Sequence, residues 1–308
     1  MIRSSECDVR PFIKWAGGKS QLLNQLYAFL PERLFTEDFN YIEPFVGGGA
    51  MLFFMLNNFH NIKKIVINDI NTELVKLYKT IKDAPTRLIE ILKDMEAVYL
   101  SLPTEMARKE KFLEIREKFN QHNLDDIFNS ACFVFLNKTC FNGLYRVNSK
   151  GDFNVPFGKY KNPKICNSTT IIADSEALNA ADVIITNGDF SDTARYIDKT
   201  MLNFFYFDPP YRPISATSSF TAYSKSNFND GDQKRLAEFS KYIDKEHCLW
   251  MLSNSDSSLA SGNDSFFEKI YFMFHIERVT ATRSINSDAS KRGKLTELLI
   301  HNDYKLKI

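Results

Sequence analysis

The run YIEPFVGGGAMLFFMLNNFHNIKKIVIND, residues 41–69, decides the reading of this chain. Tyr41-Ile42-Glu43 reads as a short strand running into the glycine loop Pro44-Phe45-Val46-Gly47-Gly48-Gly49, followed by an apolar helical stretch to Phe59. Ile65-Val66-Ile67-Asn68-Asp69 is then a second strand that ends on an acid. Strand, glycine loop, helix, strand, acid is one nucleotide-binding half of an open α/β sheet. Two tests narrow what the loop binds. The dinucleotide fingerprint G-x-G-x-x-G needs a third glycine at position 52, where Leu52 stands. A phosphate loop ending in Gly18-Lys19-Ser20 needs its first glycine at position 13, where Ile13 stands. What remains is a backbone able to approach a ligand closely without a phosphate cradle, which suits an adenosine carrying no phosphate; a plain tight turn has the same composition. Asp69, about 20 residues past the loop, stands where an acid accepts ribose hydroxyls, and Asp69-Ile70-Asn71 equally suits a helix cap.

Working outward, Leu22, Leu23, Leu26, Phe29 and Leu30 predict a helix stopped by Pro31. From Asn71 to about Leu136 the periodicity is helical, with Pro85 and Pro103 as helix starts. Residues 137–162 change to Gly, Asn, Pro and aromatics, the composition of a hairpin-like loop. Strands at 183–186, 204–207 and 249–253, with helices around Thr193 and at 233–242, resume the α/β alternation, and residues 295–300 read as a further strand. The expected organisation is one doubly wound α/β domain of residues 1–81 and 183–308, interrupted by a helical and hairpin insertion of residues 82–182.

Composition supports this. The 308 residues, 44% hydrophobic and 25% charged, exclude disordered and collagen-like classes. Net charge is only +1, yet Lys138, Arg146, Lys150, Lys159, Lys161 and Lys164 face Asp152 alone within residues 137–164, so basic charge is segregated into the loop. The 27 Phe and 13 Tyr serve packing and also supply flat faces on which bases stack. Five cysteines without a CxxC pair, and His60, His122, His247, His275 and His301 without shared spacing, give no reason to expect a metal. With no 18-residue apolar run and no apolar segment in MIRSSECDVR, the expected location is the cytoplasm.

The most specific motif is Asp208-Pro209-Pro210-Tyr211, directly after Asn203-Phe204-Phe205-Tyr206-Phe207. Two prolines after a buried strand end its ladder and stiffen the turn, fixing a carboxylate and an aromatic ring at the carboxyl edge of the sheet, where such sheets bind ligands. A purely structural turn is the competing reading. An exocyclic amine of a nucleobase is a poor nucleophile because its lone pair is conjugated into the ring. A carboxylate and a backbone carbonyl accepting both N–H bonds would localise that pair toward a sulfonium methyl, while a tyrosine stacks on the base. Asp208, the Pro209 carbonyl and Tyr211 supply those parts.

These motifs together resemble the Dam-like, DpnII-type DNA adenine-N6 methyltransferases, over nearly the whole chain. Lys14-Trp15-Ala16-Gly17-Gly18-Lys19 resembles the family's N-terminal cofactor motif, 43–49 its glycine loop and Asn68-Asp69-Ile70-Asn71 its ribose-binding acid. Asn187-Gly188-Asp189-Phe190 is similar to the segment near the cofactor adenine, and Asp208 to Tyr211 to the catalytic tetrad. The order glycine loop, insertion, DPPY is that of the class with its target-recognition domain between those motifs. The resemblance implies a Rossmann-like sheet that binds S-adenosylmethionine through Trp15, Lys19, Phe45, Gly47, Gly49, Asp69, Asp189, Phe190 and Asp208. Trp15 also has the alternative of a core aromatic.

Phe141-Asn142-Gly143-Leu144-Tyr145-Arg146-Val147-Asn148 and Phe153-Asn154-Val155-Pro156-Phe157-Gly158 are similar to the hairpin with which GATC-specific members enter DNA. By that resemblance Arg146 reads a guanine, Leu144 and Pro156 approach the thymine, Phe141 and Asn142 work near a flipped adenine, and Lys14 touches the first guanine. Phe141 lacks the phenolic hydroxyl that some members carry there. Independently, arginine is the side chain most suited to bidentate guanine contact. Thr282-Arg283 and Lys291-Arg292-Gly293-Lys294 resemble a C-terminal DNA-facing loop, or form a surface excursion.

The expected function is methyl transfer to adenine N6 in duplex GATC after base flipping, with a cognate restriction endonuclease as a potential partner. Competing expectations are amino methylation of cytosine N4, RNA or a glutamine side chain, and a catalytically silent DNA-binding protein.

Overall fold

The computed structural model describes residues 9–15, 17, 19, 22–212, 228–256, 265–282 and 294–305. Ala16, Gly18 and Ser20 of the N-terminal motif, and Arg283 and Lys291-Arg292-Gly293 of the basic loop, lie outside them. The chain runs through α1 (Leu23–Ala28), β1 (Phe39–Glu43), α2 (Ala50–Asn58), β2 (Ile62–Asp69), α3 (Thr72–Asp83), α4 (Pro85–Ser101), α5 (Glu105–Asn120), α6 (Asp126–Thr139) and α7 (Ser168–Ala180). It continues as β3 (Val183–Asn187), β4 (Leu202–Phe207), α8 (Asp230–Lys245), β5 (Leu249–Ser255), α9 (Phe266–Ile270), β6 (His275–Thr282) and β7 (Lys294–His301).

The strands form a seven-stranded sheet in the order β3-β2-β1-β4-β5-β7-β6. β1 pairs in parallel with β2 and β4, and β4 with β5, while β7 is antiparallel to β5 and β6. β1, β4 and β5 are buried at every position, as expected of strands covered on both faces, and their mostly apolar sequences carry Asn40, Glu43, Asn203 and Ser253-Asn254-Ser255 inside as buried polar residues. The order reverses between β1 and β4, so the carboxyl ends of these neighbours form the topological switch point of a Rossmann-like doubly wound sheet.

By contact density the chain forms two compact units, one of Met1–Gly18, Gly47–Asn58 and Asp69–Asn187, the other of Lys19–Val46, Phe59–Asn68 and Gly188–Ile308. In the first, α6 is the central element, with apolar side chains from Ala131 to Leu136 all buried, as a helix surrounded by others demands. Phe135 stacks edge-on against Tyr99 of α4, and Phe119 of α5 packs on Phe133. In the second, Phe205, Phe207 and Trp250 carry the sheet's core, with Phe239 of α8 laid edge-on across the two phenylalanines.

Several local expectations shift for physical reasons. Helix α4 starts at Pro85, whereas α5 starts two residues beyond Pro103 because the Thr104 hydroxyl accepts the Ala107 N–H and sets the cap there. The helix around Thr193 is a 3-10 turn, Phe190–Tyr196, begun by the Asp189 carboxylate on the Ser191 N–H. The hairpin-like segment pairs only through the bridges Val147 to Phe153 and Cys140 to Phe157. Helix α7 and strand β6 carry no clear apolar period and were not anticipated.

Candidate active site

In the first unit the glycine loop is shaped from beneath. Gly47 and Gly49 adopt left-handed backbone, φ +48° and +78°. The Gly47 N–H donates to Asp69 Oδ2 at 3.0 Å, Asp69 Oδ1 accepts the Asn71 N–H at 2.9 Å, and the Tyr78 hydroxyl donates to the Gly47 carbonyl at 3.0 Å. Burial raises the Asp69 carboxyl, and the N–H groups of Asn71 and Gly47 oppose it. The capping reading of Asp69 is met in part: it braces the start of α3, whose own cap is Asn71, and it ties that start to the glycine loop.

Glycine is also required here by close approach. A Cβ on Gly48 would lie 2.7 Å from the Trp15 Cβ, and one on Gly49 2.5 Å from the Tyr78 hydroxyl. Trp15 therefore lies against the loop while stacking on Tyr145 at 5.7 Å between centroids, inclined at 22°. Tyr145, quoted within the hairpin motif but given no role, also hydrogen-bonds Asn71, and burial pushes its phenol up to about 12. Hairpin and cofactor motif are thus continuous in this unit.

The same unit gathers the expected DNA readers. Asn137, buried at the end of α6, accepts the Lys14 N–H at 3.0 Å and donates to the carbonyls of Lys14 and Gly143, both at 2.9 Å. Gly143, at φ +65°, packs so closely on the Lys14 side chain that a Cβ would fall 2.5 Å from it. Lys14 is exposed, its ammonium 5.4 Å from the Tyr160 ring centroid, and the Tyr160 hydroxyl accepts the Asn142 N–H. Phe141 is 52% exposed, and its N–H donates to the carbonyl of exposed Pro156. Leu144 is half-buried. Arg146 is exposed and donates Nε to Asn154 Oδ1 at 2.6 Å and an NH2 proton to the Asn154 carbonyl at 3.0 Å, so part of its fork is used to fix its direction. Lys138 falls to about 8, through burial first and then the Lys14 charge.

In the second unit the turn after β4 is held from two sides. Gln233 of α8, fully buried, donates to the Pro210 carbonyl, Asn254 of β5 accepts the Arg212 N–H, and Ser255 donates to the Arg212 carbonyl. This fixes Pro209 and Tyr211 between pinned neighbours, and it gives Ser253-Asn254-Ser255 the role of shaping the turn. The Asp208 carboxylate, 23% exposed, meets the buried Lys19 ammonium at 2.9 Å. Lys19 is also 3.7 Å from Glu297 Oε2 and lies 4.2 Å from the Tyr211 ring centroid, while the Tyr211 hydroxyl donates to Glu297 Oε2 at 2.7 Å. Burial raises the Asp208 carboxyl, the Lys19 charge and hydrogen bond lower it, and Glu297 raises it again. Tyr41, Tyr206 and Tyr211 are all driven well above the usual phenol range, chiefly by burial, and stay protonated.

Phe45, half-buried, packs with Phe190 at 5.4 Å and edge-on with Phe228 at 5.5 Å. Asp189 is gripped by Arg235 at 2.8 Å and by the Ser191 hydroxyl; against burial, these bonds hold its carboxyl below the usual range. Residues that sequence reasoning missed are Glu297, Arg235, Tyr145 and Asn137. Glu297 left one trace, an acid directly before the apolar run Leu298-Leu299-Ile300 of the strand KLTELLIH. Among the described residues no group of three or more His, Cys, Asp or Glu is placed to hold a metal, and no helix is long and apolar enough to cross a membrane.

Residues 15–285 match the family described as D12 class N6 adenine-specific DNA methyltransferase. The chain is 47% identical over 299 residues to the type II methyltransferase M.MjaIII of Methanocaldococcus jannaschii, covering 96% of this chain and 99% of that one. It is 38% identical over 305 residues to the type II methyltransferase M1.LlaDCHI of Lactococcus lactis subsp. cremoris, covering 98% of each. It is 34% identical over 291 residues to a DNA adenine methylase of Vibrio cholerae, covering 94% of this chain and 95% of that one.

Proposed function

The chain belongs to the D12 class of N6 adenine-specific DNA methyltransferases, and from that premise we propose that it methylates the adenine of duplex GATC after flipping it from the helix. The observation that carries the chemical part is the Asp208 carboxylate, held beside Lys19 on a turn pinned by Gln233, Asn254 and Ser255. A carboxylate in that position is held in place and only partly exposed, so it is suited to accept an amine N–H and concentrate the nitrogen lone pair. Asp208, together with the Pro209 carbonyl, orients the amine, and Tyr211 stacks on the base. A base inside a duplex cannot reach a carboxylate set in a turn, which is the physical argument for flipping.

The family implies S-adenosylmethionine as methyl donor, and when bound it supplies an electrophilic methyl on a sulfonium. The glycine loop fits such a ligand: its backbone is left-handed at Gly47 and Gly49, and the Asp69 carboxylate, held by the N–H groups of Asn71, Gly47 and Ile70, stands directly beneath it. Trp15, Gly47, Gly49 and Asp69 in the first unit, and Lys19, Phe45, Asp189, Phe190 and Asp208 in the second, are the proposed holders.

Residues 82–182, all within the first unit, are the proposed target-recognition insertion to a catalytic domain of residues 1–81 and 183–308. In its basic hairpin Arg146, Leu144, Pro156, Phe141 and Asn142 read GATC together with Lys14. The names of two relatives, type II methyltransferases, support pairing with a restriction endonuclease at the same site. DNA as substrate favours the cytoplasm.

The test is methyl transfer from labelled S-adenosylmethionine to a GATC duplex by wild type and Asp208→Ala. The variant should lose at least about 100-fold in rate while still binding the donor by calorimetry. Retained transfer would remove Asp208 from the chemistry.

A further inference from the structure

Two polar groups around Asp208, the Lys19 ammonium and the Tyr211 hydroxyl, converge on one side chain from a distant strand. Glu297 lies in β7, paired to Ser255 of β5 on one side and to Val279 of β6 on the other, so its backbone is fixed in the sheet. One oxygen, Oε2, takes the Tyr211 phenol at 2.7 Å and stands 3.7 Å from Lys19. Lys19 in turn spans to Asp208 and lies over the Tyr211 ring. We propose that Glu297 is a positioning residue for the methyl transfer, holding the Tyr211 ring and the Lys19 ammonium in register around Asp208. This rests on the adenine methyltransferase reading above.

The physical case has two parts. A tyrosine that stacks on a base is useful only if its ring keeps one tilt, and a charge-assisted bond from its hydroxyl to a strand-borne carboxylate removes that freedom. A lysine drawn toward two carboxylates is likewise held in place, and losing Glu297 removes one of the charges that set its position relative to the oxygens that must accept the substrate amine. In this role Glu297 acts through Tyr211 and Lys19.

A role in the charge balance separates positioning from mere packing. The charged and titratable groups facing Asp208 are Lys19 ahead of α1, Tyr211 on the turn, Tyr206 on β4 and Glu297 on β7; Tyr41 and Glu43 on β1 adjoin them. The tyrosines stay neutral, so Glu297 is the anion that opposes Lys19 at Asp208. Removing its charge lowers the Asp208 pKa, and the acid limb of the kcat profile moves to lower pH.

The experiment compares wild type, Glu297→Ala and Glu297→Gln in kcat, KM for duplex and donor, kcat against pH, and melting temperature. For Glu297→Ala, kcat should fall about tenfold or more, a larger change than in KM for either duplex or donor. Glu297→Gln, which keeps an acceptor for the Tyr211 hydroxyl, should recover part of that loss and show the acid limb displaced to lower pH. Wild-type kcat in Glu297→Ala, or an acid limb unmoved in folded Glu297→Gln, overturns the inference. If Glu297→Ala does not fold, Glu297→Gln alone decides. Absence of adenine methylation by wild type would instead overturn the functional reading, and the role of Glu297 with it.

Discussion

Asp208 and Asp174 are both carboxyl groups withdrawn from water, yet only Asp208 has a cation at contact distance. Lys19 sits 2.9 Å from Asp208 and offsets much of what burial does to it. Asp174, fully buried on α7, accepts the Arg10 backbone N–H at 3.2 Å through Oδ1, and its Oδ2 has no hydrogen-bond partner among the described residues. Burial pushes this acid up to about 8. The sign follows from proton counting: between the ordinary carboxylate range and pH 8 the folded chain binds a proton that the unfolded chain has released. Stability from this group is therefore full at low pH and lost as pH rises toward 8. Asp174→Asn mimics the neutral acid, so it should melt higher than wild type at pH 8, with the difference vanishing near pH 4. A difference independent of pH would show that Asp174 is not neutral when folded. Nothing in the sequence marked this residue, because its environment is built by Arg10 and the rest of α7 together.

At the scale of elements, α6 carries the proposed reading loop through one side chain at its end. Asn137 makes three hydrogen bonds that tie the strand-like Lys14 segment to the Gly143 turn. Asn137→Ala leaves these buried backbone groups unpaired, at a cost of about 1–3 kcal/mol. It should lower the urea midpoint at constant slope and weaken duplex binding measured by anisotropy. A variant with unaltered unfolding and duplex affinity would show that α6 does not position the loop. Elements were legible where burial is complete. β1, β4 and β5 are mostly apolar, and Pro44 and Pro209 mark the ends of β1 and β4. Helix α7 was not, because Thr170, Asp174 and Ser175 are buried among its apolar residues and blur the period. β6, HIERVTAT, lies on the edge of the sheet and keeps no strict alternation, so its sequence carries no clear strand pattern.

Over the whole molecule, the chain passes between its two compact units at 18/19, 46/47, 58/59, 68/69 and 187/188. All but the third of these crossings fall inside motifs quoted from the sequence: the N-terminal motif, the glycine loop, the acid after β2 and the Asn187-Gly188-Asp189-Phe190 segment. Short motifs announce themselves locally because proline, glycine and terminal acids set backbone shape within a few residues. Partners drawn from far along the chain do not: Glu297 meets Tyr211 across 86 positions, and only the fold brings them together. The two parts of the functional account, amine chemistry at Asp208 and reading by the Arg146 hairpin, are joined only if one protein does both on one duplex. The direct measurement is methyl transfer by wild type to two duplexes, one with GATC and one with its first guanine replaced, followed by nucleoside analysis of the product. The account predicts N6-methyladenine in the GATC duplex alone; equal transfer to both, or methyl on another base, would contradict it.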